Sequence, residues 1–346
     1  MSVRSMNNKL DNKIDTACRV LSQEASVSPY FVELYLSDQI LEVSEAIITP
    51  LTFYREYVSK NIPLLIKGGT SQWPAMKKWS IPYFQKVLGD KEVTVAVTPN
   101  GYADAIAESH DFNGESIEYF VMPEERQMTM SQFLDHLENP QAGSVFYIQR
   151  QNSNFTEDFP ELISDVPPDI PWATESFGKL PDAVNIWMGD ERAVTSMHKD
   201  PYENIYCVIS GEKDFLLHPP TDRPYIPYGK YPAAVYKESS PGQWKINPMN
   251  IDTPKVLQES ESDNEESNLV PWIRVDPLHP DNTRYPKYKN TRTLRVKVQE
   301  GDMLYLPSLW FHHVRQSQAC LALNYWYDME YDIKYAYFKA LETLCE

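Results

Sequence analysis

The sequence lacks several common features, and each absence argues against a class of protein. No apolar run approaches the roughly 18 residues that a membrane-spanning helix needs, and the first residues contain no apolar signal segment. The four cysteines, Cys18, Cys207, Cys320 and Cys345, lie far apart without a C-x-x-C pair, which disfavours a disulfide framework or a thiolate zinc site. We therefore expect a soluble protein of a reducing compartment, in the cytoplasm with the nucleus as a second location, and without membrane contact.

Positive charge is also in deficit. Lysine and arginine together number 32 against 49 aspartates and glutamates, which gives a formal net charge of −17. Because an acidic surface repels phosphate backbones, nucleic acid is not expected as a direct partner. A basic peptide or protein would be attracted instead.

Glycine is scarce relative to proline, with 12 glycines against 27 prolines, the reverse of average usage. Hydrophobic residues make up 42% of the chain and aromatic residues 12%, which is enough for a packed core and excludes wholesale disorder. Prolines scattered through an aromatic-rich chain favour short strands joined by ordered loops over long helices.

Residues 1–140 combine helical and strand patterns. The helical spacing of Leu10, Ile14, Ala17 and Leu21 predicts a helix within residues 1–40. Another helix should begin at Thr49-Pro50, because threonine is a good N-cap and proline suits the first helical position. The remaining predicted elements in and next to this region are strands at 62–67, 91–98 and 144–151, and short helices from Ser80 to Gly89 and near 130–139. We expect an N-terminal α+β region that packs on the rest of the protein.

The second half changes character. Short β-branched and aromatic runs occur at 183–188, 193–198, 204–210, 213–218, 293–299, 302–307, 312–317 and 320–327, mostly separated by turn residues. Eight such strands fit a mainly β fold, a jelly roll or double-stranded β-helix, over residues 141–328. We predict a loop excursion at 219–291, which includes an acidic stretch at 258–267, and a C-terminal helix in 329–346.

The sequence contains no P-loop, G-x-S-x-G, G-x-G-x-x-G or H-E-x-x-H motif, so attention turns to its histidines. His198 and Asp200 stand two apart at the end of a predicted strand, and His312 and His313 lie on a distant one. Two histidines and one carboxylate form the facial set of non-haem Fe(II) oxygenases. A loop cap or a surface pair is the alternative interpretation of an isolated H-x-D.

Two further side chains stand out on predicted strands. Alternation puts Lys213 on the same face as Phe215 and Leu217, where an unpaired ammonium is costly, so it either reaches solvent at the strand end or meets a carboxylate. Asn324 shares a face with the small Cys320 and Ala322, which leaves room for a ligand if that face points inward.

Together these residues resemble the JmjC-domain family of Fe(II)- and 2-oxoglutarate-dependent oxygenases. The resemblance is carried by TSMHKD (195–200), Asn204, Lys213, GDMLYLPSLWFHHV (301–314) and LNYWY (323–327). It extends over nearly the whole chain to the JmjC-only subgroup, through segments such as WPAMKKWSIPYF (73–84) and VFYIQRQNSN (145–154). Within that subgroup the chain resembles a (3S)-lysyl hydroxylase of translation-factor-related GTPases that is also described as a histone-tail peptidase.

The resemblance implies a role for each motif residue. His198, Asp200 and His312 would be the catalytic iron ligands, with His313 as a non-ligand neighbour. Lys213 would pair with the distal carboxylate of the cosubstrate 2-oxoglutarate, helped by the hydroxyls of Thr195 and Tyr147. Asn204 and Asn324 would lie near the cosubstrate and the metal.

Three functions remain open from the sequence. The favoured one is hydroxylation of a target lysine in a GTP-binding protein of the developmentally regulated class. The alternatives are peptidase action on histone tails or another JmjC hydroxylase or demethylase activity, and, in a different class, a non-catalytic JmjC-like binding module. Tyr331, Tyr335, Phe338 and Leu341 at helical spacing predict either packing on their own domain or a homodimer contact.

Overall fold

The computed structural model describes residues 36–110, 114–249 and 269–345. The helix predicted within 1–40 falls almost wholly outside the described residues, and residues 36–40 are not helical. The acidic stretch 258–267 also lies outside them.

Strands dominate the described chain, and the helices are short. The strands are β1 (Leu41–Ser44), β2 (Leu64–Lys67), β3 (Glu92–Thr98), β4 (Tyr102–Ala103), β5 (Ala105–His110), β6 (Ser116–Met122), β7 (Glu124–Thr129), β8 (Val145–Ile148), β9 (Ala183–Gly189), β10 (Val194–His198), β11 (Tyr202–Ser210), β12 (Glu212–His218), β13 (Tyr228–Ser240), β14 (Gln243–Pro248), β15 (Leu269–Ile273), β16 (Leu294–Gln299), β17 (Met303–Leu306), β18 (Phe311–Gln316) and β19 (Cys320–Asp328). The α-helices are α1 (Pro50–Phe53), α2 (Ala75–Lys78), α3 (Ile81–Leu88), α4 (Met130–Glu138), α5 (Asn154–Asp158), α6 (Pro171–Phe177) and α7 (Ile333–Cys345). One π-helical turn, Tyr54–Val58, continues α1, and short 3₁₀ turns lie at Glu45–Ile47, Pro160–Asp165, Pro220–Asp222 and Tyr288–Asn290.

The eight predicted strands of the second half are all present and form two facing sheets. β17, β11, β19 and β9 lie side by side in the larger sheet, and β16, β12, β18 and β10 do so in the smaller one. Inward side chains from both sheets, such as Tyr206, Phe215, Leu304 and Val314, form one buried cluster. This confirms the mainly β jelly roll.

Strands from the N-terminal region extend the larger sheet at both ends. On one side β8, β3 and β7 follow β9, and on the other β2 and β1 follow β17. A second buried cluster covers the outer face of this sheet and includes Phe53, Phe133 and Trp172 from the helices. The boundary drawn at 140/141 stays a prediction, but strands from both sides of it hydrogen-bond in a single sheet.

The helix starts follow the capping signals of the sequence. Thr49 and Thr52 form a reciprocal capping box, and Pro50 occupies the first position of α1. The Ser80 hydroxyl accepts a hydrogen bond from the Tyr83 amide at the start of α3. Gly89 follows the last residue of that helix, as predicted.

The expectation of a loop throughout 219–291 is wrong. β13 and β14 pair within this segment, β15 pairs with β13, and β13 also pairs with β6 from the first half. Pro232 lies inside β13, and the strand residues are largely tyrosine, lysine and small side chains, so the segment shows no clean alternation of apolar and polar residues. Its pairing is set by a neighbour more than a hundred residues away in the chain.

The C-terminal helix α7 packs on its own protein through Phe338, which joins a buried cluster with Met197 and Phe311. Ile333, Tyr337 and Leu344 of the same helix are exposed. The homodimer contact stays a prediction. No helix in the described part of the chain is long and apolar enough to cross a membrane.

Candidate active site

Neighbouring strands of the smaller sheet bring two imidazoles together. β10 and β18 run antiparallel, and His198 lies directly opposite His312 in the register. A β-bulge between Thr195 and His198 interrupts the ladder and re-aims the end of β10. The two ring centroids are 4.1 Å apart.

Asp200 joins this pair from the turn that follows β10. Its Oδ2 lies 3.6 Å from Nε2 of His198 and 3.6 Å from Nε2 of His312. One potential ligand atom from each of the three residues lies within 4.8 Å of the others. The backbone carbonyl of Asp200 accepts a hydrogen bond from the Leu309 amide, which ties the turn to the segment that enters β18.

Backbone carbonyls fix the orientation of both rings. Nδ1 of His198 donates to the carbonyl of Ser196 at 2.8 Å, and Nδ1 of His312 donates to the carbonyl of Trp310 at 2.9 Å. In the neutral form, each ring therefore presents the lone pair of its Nε2 toward Asp200. A hydrogen-bonded second nitrogen is the usual arrangement of a metal-ligating histidine.

The protonation states agree with a cation site. Burial alone would raise the pKa of Asp200, but the neighbouring imidazoles outweigh it and hold this pKa at about 2. Burial and the nearby His198 lower the pKa of His312 to about 4. Burial would also lower the pKa of His198, but the Asp200 carboxylate turns the net shift upward. The ionised carboxylate is ready to bind a divalent metal, which would displace any proton from the imidazoles, and two histidines with one carboxylate fit non-haem iron.

A buried carboxylate supports the loop in front of β18. Glu203 accepts hydrogen bonds from the Tyr305 hydroxyl at 2.7 Å and from the Ser308 hydroxyl at 2.9 Å. The next residue, Leu309, has a positive φ of 67°, which is uncommon for a side chain of this size. The Glu203 contacts hold this strained turn, and the turn leads into β18, the strand that carries His312.

The triad lies in a cavity between the two sheets. Several residues singled out from the sequence line it together, namely Tyr147, Thr195, His198, Asp200, Asn204, His312 and Asn324. Their roles stay predictions, but the structure places them around one space. Lys213 lies behind Tyr147, to whose hydroxyl its Nζ donates a hydrogen bond of 3.0 Å.

Lys213 is the least expected group in this core. The side chain is only 2% exposed, and Phe215 and Leu217 on the same strand face belong to the cluster between the sheets. The side chain does not reach solvent, and no carboxylate lies within 4 Å of its Nζ among the described residues, so a carboxylate partner stays a prediction. An ammonium buried without a counter-ion is costly, which points to an anionic ligand.

Two buried amides form the opposite wall. Trp187 Nε1 donates to Asn324 Oδ1 at 2.7 Å, and Asn324 Nδ2 donates to Asn204 Oδ1 at 3.3 Å. Asn324 shares its inward face with Cys320 and Ala322, both members of the inter-sheet cluster. This confirms that the small-residue face of β19 points inward.

His313 lies on the other side of β18 and outside the triad. Its ring is 1% exposed, and neither ring nitrogen has a hydrogen-bond partner among the described residues. Its Nε2 is 3.9 Å from Asp276 Oδ1, which is beyond hydrogen-bond distance.

Sequence reasoning missed several cavity residues. They are Gln151, Trp187, Tyr206, Phe215, Val314 and Trp326. Strand alternation would have placed Tyr206 and Trp326 on the faces of Asn204 and Asn324. Gly189 also escaped notice: a Cβ there would lie 2.5 Å from the Tyr147 ring, so only glycine lets that ring occupy its position.

Comparison with known proteins supplies relatives of similar length. The sequence profile of a cupin-like domain matches residues 50–333. The chain is 50% identical to the human bifunctional peptidase and (3S)-lysyl hydroxylase JMJD7, over 86% of each chain. It is 39% identical to the lysine-specific demethylase JMJ32 of Arabidopsis thaliana, over 86% of this chain and 84% of that one. It is 37% identical to the JmjC domain-containing protein E of Dictyostelium discoideum, over 85% of this chain and 86% of that one.

Proposed function

This chain belongs to the cupin-like domain family of JmjC proteins, and we propose on that premise that it is an Fe(II)- and 2-oxoglutarate-dependent oxygenase that hydroxylates a lysine side chain in a protein substrate. Lys213 is the observation that carries the proposal. Its ammonium is buried without a carboxylate partner among the described residues, behind a tyrosine that lines the cavity of a His-Asp-His triad. A small dianion could pair one carboxylate with the Lys213 ammonium and chelate the metal ion with its other end.

The residues divide between metal and cosubstrate. His198, Asp200 and His312 would hold Fe(II), and Lys213 with Tyr147 and Thr195 would hold the distal carboxylate of 2-oxoglutarate. When bound, the iron and 2-oxoglutarate use O2 to insert one oxygen atom into a C–H bond, with conversion of 2-oxoglutarate to succinate and CO2.

The protein's own contribution is to position groups and exclude water. The carbonyls of Ser196 and Trp310 hold both imidazoles in the ligating tautomer. Asn204 and Asn324 present amide groups beside the ligands and are themselves bonded, so the wall is rigid. Aromatic and aliphatic side chains close the rest of the cavity, which strengthens the electrostatic contacts inside it.

The substrate assignment follows the human relative. JMJD7 is named as a (3S)-lysyl hydroxylase, and half of its residues over the aligned length are shared with this chain. A lysine in a GTP-binding protein of the developmentally regulated class is the proposed target, with cytoplasm and nucleus as the proposed locations. The net charge of −17 favours encounter with a cationic segment. The homodimer, which would use the exposed side chains of α7, also remains a proposal.

The alternatives have weaker support. JMJD7 is also named as a peptidase, but among the described residues the cavity lining offers no carboxylate other than the ligand Asp200 to act as a general base. Demethylation, the activity named for JMJ32, uses the same oxygen chemistry and differs only in which carbon of the substrate lies at the metal. A non-catalytic binding module gives no physical reason for a buried, carboxylate-free Lys213.

The test is the mass of the product. Candidate GTP-binding proteins and their lysine-containing fragments are incubated with the protein, Fe(II), 2-oxoglutarate and O2. We expect an intact fragment to gain one oxygen atom on a lysine, and the gain to require 2-oxoglutarate and to vanish in Asp200→Ala. A pair of shorter peptides, formed equally well without 2-oxoglutarate, would instead establish the peptidase. Loss of a methyl group from a methylated lysine would establish the demethylase.

A further inference from the structure

A second carboxylate, Asp104, lies on the segment that pairs with the strand carrying His198, and it has no place in the roles given above. Asp104 follows the short strand β4, whose Ala103 pairs in parallel with Thr195 of β10. Its backbone carbonyl accepts a hydrogen bond of 2.6 Å from the Ser196 hydroxyl. Asp104 is therefore attached to the strand that carries His198, at the point where that strand approaches the metal ligands.

The backbone of Asp104 adopts an unusual conformation. Its φ is +52°, in the left-handed region, which aspartate tolerates better than most side chains but still adopts rarely. The pairing of Ala103 and the hydrogen bond from Ser196 hold it there. Such strain is concentrated at functional sites, and here it accompanies a side chain without a structural partner.

The Asp104 carboxylate is incompletely satisfied. The residue is half-buried, and no donor to its carboxylate is found among the residues that the structure describes. By contrast Asp276, which is bonded to β4, accepts hydrogen bonds from the Tyr102 hydroxyl and the Leu278 amide. Burial raises the pKa of Asp104 to about 6, an effect that His198 opposes and Glu125 increases. Removing a carboxylate from water without a partner is unfavourable unless a ligand supplies the partner.

The same rim offers an apolar surface. The Trp272 ring lies parallel to the His198 ring with centroids 6.2 Å apart, and its Nε1 donates to the Ser196 hydroxyl that also contacts Asp104. A lysine side chain would suit both the Trp272 ring and the Asp104 carboxylate, because its methylenes favour apolar contact and its ammonium needs an acceptor. If carbon 3 of a lysine lies at the metal, its ammonium is four bonds farther along the side chain.

We propose that Asp104 is the specificity-determining residue that accepts the ε-ammonium of the substrate lysine, with the methylenes lying against Trp272. This inference rests on the proposed lysyl hydroxylation. It explains why a half-buried carboxylate without a partner is held in a strained backbone beside His198. It also assigns recognition of the substrate lysine to one residue, independently of the general acidity of the surface.

The test pairs an enzyme change with a substrate change. The probes are a lysine peptide that gains oxygen in the product assay and the same peptide with norleucine, which lacks the ammonium, at the target position. We expect wild-type protein to prefer lysine in kcat/KM, and Asp104→Asn to lose roughly tenfold to hundredfold of that preference. Glu125→Gln, which removes an exposed charge near Asp104, is the matched control and should keep it.

Several results would overturn the assignment. One is an unchanged lysine preference in Asp104→Asn. Another is a wild-type protein that hydroxylates the norleucine peptide as well as the lysine peptide, an outcome that needs no variant to fold. A third is that Asp104→Asn lowers Fe(II) affinity and leaves the preference intact, which would make Asp104 a support of the metal site. If wild-type protein transfers oxygen to no lysine, the proposed function itself fails, which is a separate result.

Discussion

At the scale of single residues, the site depends on side chains whose charge has no bonded counterpart among the described residues. Lys213 is buried beside Tyr147, and Asp104 is half-buried beside His198, each without an opposite charge bonded to it among the described residues. Unmatched charges of opposite sign are what an anionic cosubstrate and a cationic substrate would each need. Natural proteins tolerate such groups where a ligand completes them.

Removal of the Lys213 ammonium should weaken cosubstrate binding selectively. We expect Lys213→Ala to raise the apparent KM for 2-oxoglutarate. The increase should correspond to a loss of about 2–3 kcal/mol of binding free energy, the magnitude of a lost charge-assisted hydrogen bond. Lys213→Arg should also be impaired, because a forked guanidinium does not fit behind Tyr147. Steady-state kinetics on folded protein measures this, with the exposed Lys230→Ala as control. An unchanged KM in Lys213→Ala would remove this lysine from the site.

Local sequence patterns predicted some of these residues and could not predict others. His198 and Asp200 are two positions apart, and alternation alone put Lys213 on an apolar face. The contact between Lys213 and Tyr147 joins residues 66 positions apart, and no local pattern reports it. The position of the Asp104 side chain depends on a left-handed backbone conformation, which the pairing of β4 with β10 holds in place. Trp187 reaches Asn324 across two paired strands of the larger sheet.

At the scale of elements, the pairing of β10 with β18 makes the site and alternation decides its members. Adjacent residues of a strand face opposite sides, so His312 points to the cavity and His313 points away from it. The eight strands of the barrel were predictable because they are apolar and bounded by turn residues. Other strands were not predictable, namely β5, β7 and β14. Their residues are mostly polar or half-exposed, and their pairing depends on distant partners.

The alternation on β18 predicts different consequences for two neighbouring substitutions. Anaerobic addition of Fe(II) and 2-oxoglutarate should give a weak visible charge-transfer band. His312→Ala should abolish it, because one of three ligands is lost, whereas His313→Ala should largely keep it. His313→Ala opens a cavity and should lower the midpoint of thermal unfolding, so the band is recorded well below that temperature. A band lost only in the His313 variant would show that the wrong histidine has been assigned.

At the scale of the whole molecule, the fold separates catalysis from encounter. The triad and Lys213 are set between two sheets of the jelly roll, while most acidic side chains of the described residues are not buried, in a chain whose net charge is −17. Fixed charges inside a dry cavity are screened little by salt, and surface charges are screened strongly. Chemistry and encounter should therefore respond differently to ionic strength.

The response to salt follows from that separation. For a lysine substrate in a basic segment, kcat/KM should fall by roughly tenfold between low salt and 0.5 M NaCl, because the Debye length shrinks from several tens of ångströms toward about 4 Å and long-range attraction is lost. The value of kcat at saturating substrate should change little. The anionic 2-oxoglutarate provides the internal control, since the surface repels it: screening should not raise its apparent KM by a comparable factor. If salt weakened both substrates equally, the effect would be a general inhibition, and electrostatic attraction of a basic partner would have to be abandoned.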